Sequence, residues 1–210
     1  MIKVENWGLI EYKTAWDKQK LIVDDMKNHQ ELPGTLVLCQ HPTVITMGRN
    51  SSEQNILFKP EFLKQMGIDI FEIERGGDVT MHNPGQLVGY PIFNLNHFKT
   101  DLHWFLREIE QCIIELIDIY NIKGSREKGM TGVWIEGKRK IAAIGLHCSR
   151  WITSHGFALN VTNNLMEFSY IVPCGINNKE VTSISKEFGT DIDIKIVESQ
   201  CAKLFIEKFS

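Results

Sequence analysis

The clearest periodicity in the chain runs from Leu102 to Tyr120, and it sets the first constraint on the fold. Leu102, Phe105, Leu106, Ile109, Cys112, Ile113, Leu116 and Tyr120 recur at i, i+3, i+4 and i+7, which predicts an amphipathic helix. Asp101 is placed to cap its N-terminus. A stripe this wide must be buried against another layer. Short apolar runs are spread around it. Thr35 to Cys39, Ile68 to Glu74, Leu87 to Phe93, Val133 to Ile135, Lys140 to Leu146 and Trp151 to Val161 all read as strands.

Three further segments read as helices. Trp16, Leu21, Ile22 and Met26 give residues 12 to 28 a helical spacing. Pro60 to Met66 suits a short helix with proline near its start. Ile194 to Phe209 has Val197, Cys201, Leu204, Phe205 and Phe209 on one side. Pro33-Gly34 marks a turn, Gly124 to Gly132 reads as a polar loop, and residues 163 to 187 read as irregular. There is no internal repeat and no linker. The 210 residues are expected to form a single domain, with a small subdomain from about 180 onward.

Composition removes several classes of function. The chain is 43% hydrophobic and 23% charged, as a soluble globular protein is. A net charge of -3 argues against a nucleic-acid binder. No window of 18 consecutive apolar residues occurs, so no membrane span is expected. Cysteines 39, 112, 148, 174 and 201 form no CxxC pair and no zinc spacing with histidine, so no metal site is expected. Free thiols and the lack of a signal-peptide pattern at the N-terminus point to the cytoplasm.

Two dense motifs remain. Arg75-Gly76-Gly77-Asp78-Val79-Thr80-Met81-His82-Asn83-Pro84-Gly85-Gln86 is a loop whose glycines let a ligand approach the backbone. It contains neither GxxxxGK[ST] nor GxGxxG, so a phosphate cradle is not indicated. On its glycines alone it is equally a tight turn. The second motif runs from Gly137 to Ile176 and holds Lys140 and Cys174. A nearby ammonium would lower the thiol pKa of a cysteine nucleophile from ~8.5. By period two, Lys140, Ala142 and Ile144 share one strand face. Taken alone, Lys140 is also readable as a solvated edge-strand lysine, and His147 or His155 as a hydrogen-bonded structural histidine.

Together these blocks resemble a known family. Arg75 to His82 with Pro84-Gly-Gln, Lys140-Ile-Ala-Ala-Ile-Gly145, Ser149-Arg-Trp, His155-Gly-Phe-Ala-Leu-Asn160 and Pro173-Cys-Gly-Ile176 are similar to the lipoyl(octanoyl) transferases. His41-Pro42 and Met47-Gly48-Arg49 add to the resemblance, which spans roughly residues 35 to 185. It implies an α/β fold of the α+β type shared with biotin and lipoate protein ligases, a central mixed sheet flanked by helices with a small C-terminal portion. It implies transfer of an octanoyl group from octanoyl-acyl carrier protein to a lysine of lipoyl domains, those of 2-oxoacid dehydrogenases and of the glycine cleavage H protein, with no cofactor.

The resemblance makes Cys174 the acyl-thioester nucleophile and Lys140 the residue that lowers its pKa. It places Arg75, Gly76, Gly77, Asp78, Val79, Thr80, Met81, His82, Ala143, Ile144, Gly145, Gly156, Phe157 and Ala158 around the acyl substrate. Met81 stands where the family usually has an aromatic residue, and Asn83 where it usually has glycine, a position at which asparagine would tolerate a left-handed backbone. Backbone N–H groups near Gly76-Gly77 or Gly145 are candidate oxyanion donors. Cys148, beside His147 and Arg150, is the rival nucleophile, and Lys138-Arg139 a cluster that could steer acidic partners. The alternatives are an ATP-dependent lipoate or biotin ligase, which would not need Cys174, and a non-catalytic module that binds lipoyl domains.

Overall fold

The structure, a computed structural model, describes residues 1–172 and 180–210. Its large sheet runs β1 (Lys3–Leu9), β2 (Gly34–Gln40), β6 (Gln86–Phe93), β10 (Ile152–Asn160), β9 (Arg139–Ser149), β8 (Met130–Ile135), β7 (Gly124–Glu127). A two-residue strand β11 (Glu180–Val181) pairs with β9. The β1–β2 and β9–β11 pairs are parallel and the others antiparallel, so the sheet is mixed as expected. A smaller sheet holds β4 (Asp69–Glu72), β3 (Val44–Met47) and β5 (Val79–His82), in that order. The segment expected to be a polar loop, Gly124 to Gly132, is instead most of the β7–β8 hairpin. Gly129 turns it at φ 78°, and the strands keep polar residues because β7 is an edge.

The central strands are apolar on both faces because helices cover both. Leu36 and Leu38 of β2 enter the core built on α3 (Leu102–Asp118) and α5 (Ile194–Phe209), while Val37 and Cys39, alternating with them, face α1 (Tyr12–Asn28). The α3 stripe is the predicted one, and the Asp101 carboxylate accepts the Trp104 N–H at 2.9 Å. In α1 the inward residues are Tyr12, Ala15, Gln19 and Met26, whereas Leu21 is 70% exposed. The spacing 12, 15, 19, 26 follows one face more closely than a stripe through Leu21. Val197, Cys201, Phe205 and Phe209 of α5 join the same core as α3 and β6. A short helix α2 (Pro60–Gln65) closes the small sheet with Leu63, and α4 (Ile184–Phe188) follows β11.

One irregularity positions the site. Val133 of β8 pairs with Ala142, but Trp134 pairs with Lys140, so Ile141 is an extra residue on β9. This β-bulge breaks the period-two expectation that Lys140 shares a face with Ala142 and Ile144. Ile141 and Ala142 both enter the α3 core, and Lys140 turns to the opposite face beside Trp134.

Candidate active site

Between the two sheets lies a cavity of about 560 Å³. One wall is the Arg75–Asp78 turn and β5; the other is formed by Lys140, Ala143 and Gly145 of β9 and Gly156 and Ala158 of β10. The turn is held from both sides. Arg75 is buried, and its guanidinium donates to the Thr46 carbonyl at 2.7 Å, the Thr46 hydroxyl at 3.0 Å and the Gly76 carbonyl at 3.1 Å. Arg49 N–H donates to the Arg75 carbonyl and Gly76 N–H to the Leu146 carbonyl, at 3.0 and 2.9 Å. Arg75 is therefore a brace for the turn. The Gly76 N–H is already spent on Leu146, which removes it from the expected oxyanion donors.

Glycines bring these walls together. Gly145 and Gly156 pair across β9 and β10. A methyl group on Gly145 would sit 2.8 Å from the Gly76 carbonyl oxygen, and one on Gly156 would sit 2.0 Å from that of Gly89. Neither position accepts a side chain without moving backbone. Thirteen of the fourteen residues expected around the substrate line the cavity, and Met81 does not. Met81 alternates with Thr80 and His82 along β5, so it packs with Ile45, Leu63 and Phe168 behind the wall. Tyr12, Leu102, Leu106, Met130 and His155 also line it. They come from elements distant in sequence: His155 opens one of the ordered motifs, Leu102 and Leu106 sit on the predicted apolar stripe, and Tyr12 and Met130 carry no local signal.

Lys140 is 8% exposed on an interior strand, with Nζ 4.7 Å from the Trp134 ring centroid. The edge-strand reading is thereby excluded. Its position is tied to the rest of the site through β11. Val181 pairs with Lys140, and Thr182 N–H donates to the Lys140 carbonyl at 2.9 Å. The Thr182 carbonyl in turn accepts from Asn160 Nδ2. Asn160 Oδ1 accepts from Gln86 Nε2 at 2.9 Å, and Gln86 Oε1 lies 2.7 Å from His82 Nδ1. A neutral His82 with hydrogen on Nδ1 completes this line. Burial, with His41 and Arg75 adding to it, pushes the His82 pKa down to about 3, so the ring stays neutral.

Asn83 departs from its expected use. Its backbone is not left-handed; its side chain is buried and donates to the Asn164 carbonyl at 2.9 Å and to Glu167 Oε2 at 3.0 Å. Arg139 departs too. It lies between Glu187 and Glu136 at 2.8 Å each, so its charge is neutralised within the chain.

Cys174 lies outside the described residues, but its flanks are within them. Val172 N–H donates to the Asn55 carbonyl at 2.8 Å, and the Asn55 amide donates to Asp78 of the turn at 2.7 Å. On the far side, Glu180 pairs with Arg139, next to Lys140. Among the described residues no cysteine lines the cavity. Cys39, Cys112 and Cys201 are buried in cores, with their thiols held well above the usual pKa by burial. Cys148, the rival, is half-buried against the α3 core, and burial raises its pKa as well. No cluster of three potential metal ligands occurs among the described residues.

Residues 11–206 match the lipoyl protein ligase A/B catalytic domain. The chain belongs to that family. Among its relatives is an octanoyltransferase of Synechococcus elongatus, 46% identical over 202 residues that cover 96% of this chain and 84% of the relative. Another is an octanoyltransferase of Cytophaga hutchinsonii, 44% identical over 219 residues, covering 96% and 90%. The protein is an acyltransferase of octanoyl transfer in lipoylation. Its fold is that of a bipartite lipoate protein ligase from Thermoplasma acidophilum, with TM-score 0.75, 15% identity and coverage of 98% of this chain and 82% of that one. The biotin protein ligase of Aquifex aeolicus is more distant, with TM-score 0.53, 14% identity and coverage of 100% and 69%. In this acyltransferase no helix of the described residues is long and apolar enough to cross a membrane.

Proposed function

We propose that this acyltransferase takes an octanoyl group from octanoyl-acyl carrier protein, carries it as a thioester on Cys174, and delivers it to a lysine of a lipoyl domain. The observation that carries the reading is the convergence at Lys140. This buried lysine stands at a cavity wall of a chain related to octanoyltransferases, and β11, which follows Cys174 by six residues, is hydrogen-bonded beside it.

In the first half-reaction the Cys174 thiolate attacks the donor's thioester carbonyl. The tetrahedral intermediate collapses, the carbon–sulfur bond to the carrier breaks, and the departing thiolate takes a proton from the Lys140 ammonium. In the second, the neutral amine of the acceptor lysine attacks the Cys174 thioester. An amide forms, the Cys174 thiolate leaves, and the proton lost by the amine returns to Lys140. One thioester exchanges for another and then for a more stable amide, so no nucleotide is consumed. The bipartite ligase of T. acidophilum is described with its E2 lipoyl domain, which supports a lipoyl domain as acceptor here. The 2-oxoacid dehydrogenase lipoyl domains and the glycine cleavage H protein are the acceptors proposed, in the cytoplasm, and residues 1–210 act as one catalytic domain.

Incubation with octanoyl-carrier protein and apo lipoyl domain, without nucleotide, tests this. The expected results are a lipoyl domain heavier by one octanoyl group and an octanoyl adduct mapped to Cys174. An adduct on Cys148, or transfer that requires ATP, would overturn the reading.

A further inference from the structure

His155 occupies an unusual place. It follows Ser154 in the middle of β10, is 3% exposed, and yet has φ 58°. A left-handed residue inside a strand is costly unless the surroundings enforce it. Here two contacts enforce it. The His155 N–H donates to Gln19 Oε1 of α1 at 3.0 Å, and Gly156 directly after it is pressed against the Gly89 carbonyl. His155 lines two cavities at once.

The first is the cavity described above. It extends along β9 from Lys140 to Leu146, which lies opposite His155. Six residues of strand are on the order of 20 Å, of which the lysine side chain and the thioester take the first part. An acyl chain attached at the Lys140 end and laid along β9 would bring its far end toward His155. The second is a pocket of about 280 Å³ under α1, with Trp16, Lys20, Glu74 and Ile152 around it. Gln19 also lines this pocket, and its buried Nε2 has no hydrogen-bond partner.

We propose that His155 is the stop that sets acyl-chain length, closing the Lys140 cavity against the pocket under α1. This rests on the acyl-transfer reading above. The block is steric, because the buried ring borders both cavities. Desolvation together with Arg75 takes the imidazole pKa down to about 3, so the stop is a neutral ring at working pH. Removing the ring would join the two cavities and admit the tail of a longer saturated chain beside Trp16 and Ile152.

The positive φ makes the test feasible, since glycine and asparagine both accept that backbone. Adduct formation on the enzyme is measured by intact mass with carrier-protein thioesters of eight, ten and twelve carbons. The wild type is expected to fall steeply beyond eight carbons. His155→Gly and His155→Asn should each raise the ratio of the twelve- to the eight-carbon rate by about tenfold or more. An unchanged ratio in a variant that still takes the eight-carbon donor would overturn the proposal. So would a flat wild-type profile, whatever the variants do. Calorimetry of free octanoate and dodecanoate binding to the same proteins separates this idea from the transfer reading. If the wild type makes no adduct at all, the transfer reading fails, and the change in dodecanoate preference on removing the ring still decides whether His155 is the stop.

Discussion

The two faces of the large sheet are built for different ends. Toward α3 and α5 the sheet buries an apolar core with an aromatic seam in it. Phe93, Phe98, Phe105, Phe205 and Phe209 meet with ring centroids 5.1 to 5.8 Å apart, mostly tilted or edge-on. Toward α1 and the small sheet it buries polar groups. Tyr12, His41, His82 and Tyr90 form a second cluster, in which His41 Nε2 lies 2.7 Å from the Tyr90 hydroxyl and Tyr12 stacks on His82. The first face gains free energy from dry packing. The second gives some of it up to hold neutral imidazoles, glycine-thinned walls and a cavity. Most of the packing lies on one face of the sheet and most of the polar site on the other, with Leu102, Leu106, Ile144 and Phe157 shared between the core and the cavity.

Five substitutions would break or sharpen that division. The largest effect is expected from Cys174→Ala, which should abolish octanoyl transfer while the urea midpoint stays at the wild-type value. Residual transfer through another cysteine would be seen as an adduct in peptide mapping and would refute the assignment. On the packed face, Phe93→Ala should cost ~3–5 kcal/mol in urea denaturation, since the ring is fully buried among aromatics. The remaining folded enzyme should transfer at a near-normal rate. A comparable loss of specific activity would mean that the faces are not separable.

Lys140→Met should do the reverse. Loss of the ammonium returns the Cys174 thiol toward ~8.5 and cuts the thiolate at neutral pH roughly tenfold or more, with a smaller change in stability. Iodoacetamide labelling of Cys174 against pH reads the shift. Lys140→Arg keeps a charge but not a shuttling proton, so a variant that labels readily yet fails to transfer assigns Lys140 to proton transfer.

The smallest effect is a pH dependence. His41, His82 and His155 have pKa values lowered by burial to about 4, 3 and 3, below the ordinary imidazole value of 6.5. The unfolded chain therefore binds more protons than the native one between those values, so their contribution is full above about 6.5 and shrinks as the pH falls toward 3. His82→Gln should flatten that decline measurably in urea titrations between pH 6.5 and 4. An unaltered slope would show that His82 is not held neutral by the fold.

Some of this was decided by the sequence alone. The spacing of Leu102 to Tyr120 dictates a helix and its buried stripe, because side chains three and four apart share a face whatever surrounds them. The ordered motifs around Arg75, Lys140, His155 and Cys174 mark the family, because residue identity survives without coordinates. Relations between distant segments were left to the tertiary structure. The extra residue at Ile141 arises from pairing with Val133 and Trp134, and it reverses the direction in which Lys140 points. Met81 faces the small core because its strand is half of a wall. Gly124 to Gly132 becomes a hairpin because β9 offers an edge on which to pair. His155 becomes left-handed because α1 and β6 confine it from both sides. Local periodicity encodes which residues form an element; register, bulges and close backbone approach depend on partners far along the chain, and only the packed molecule sets them.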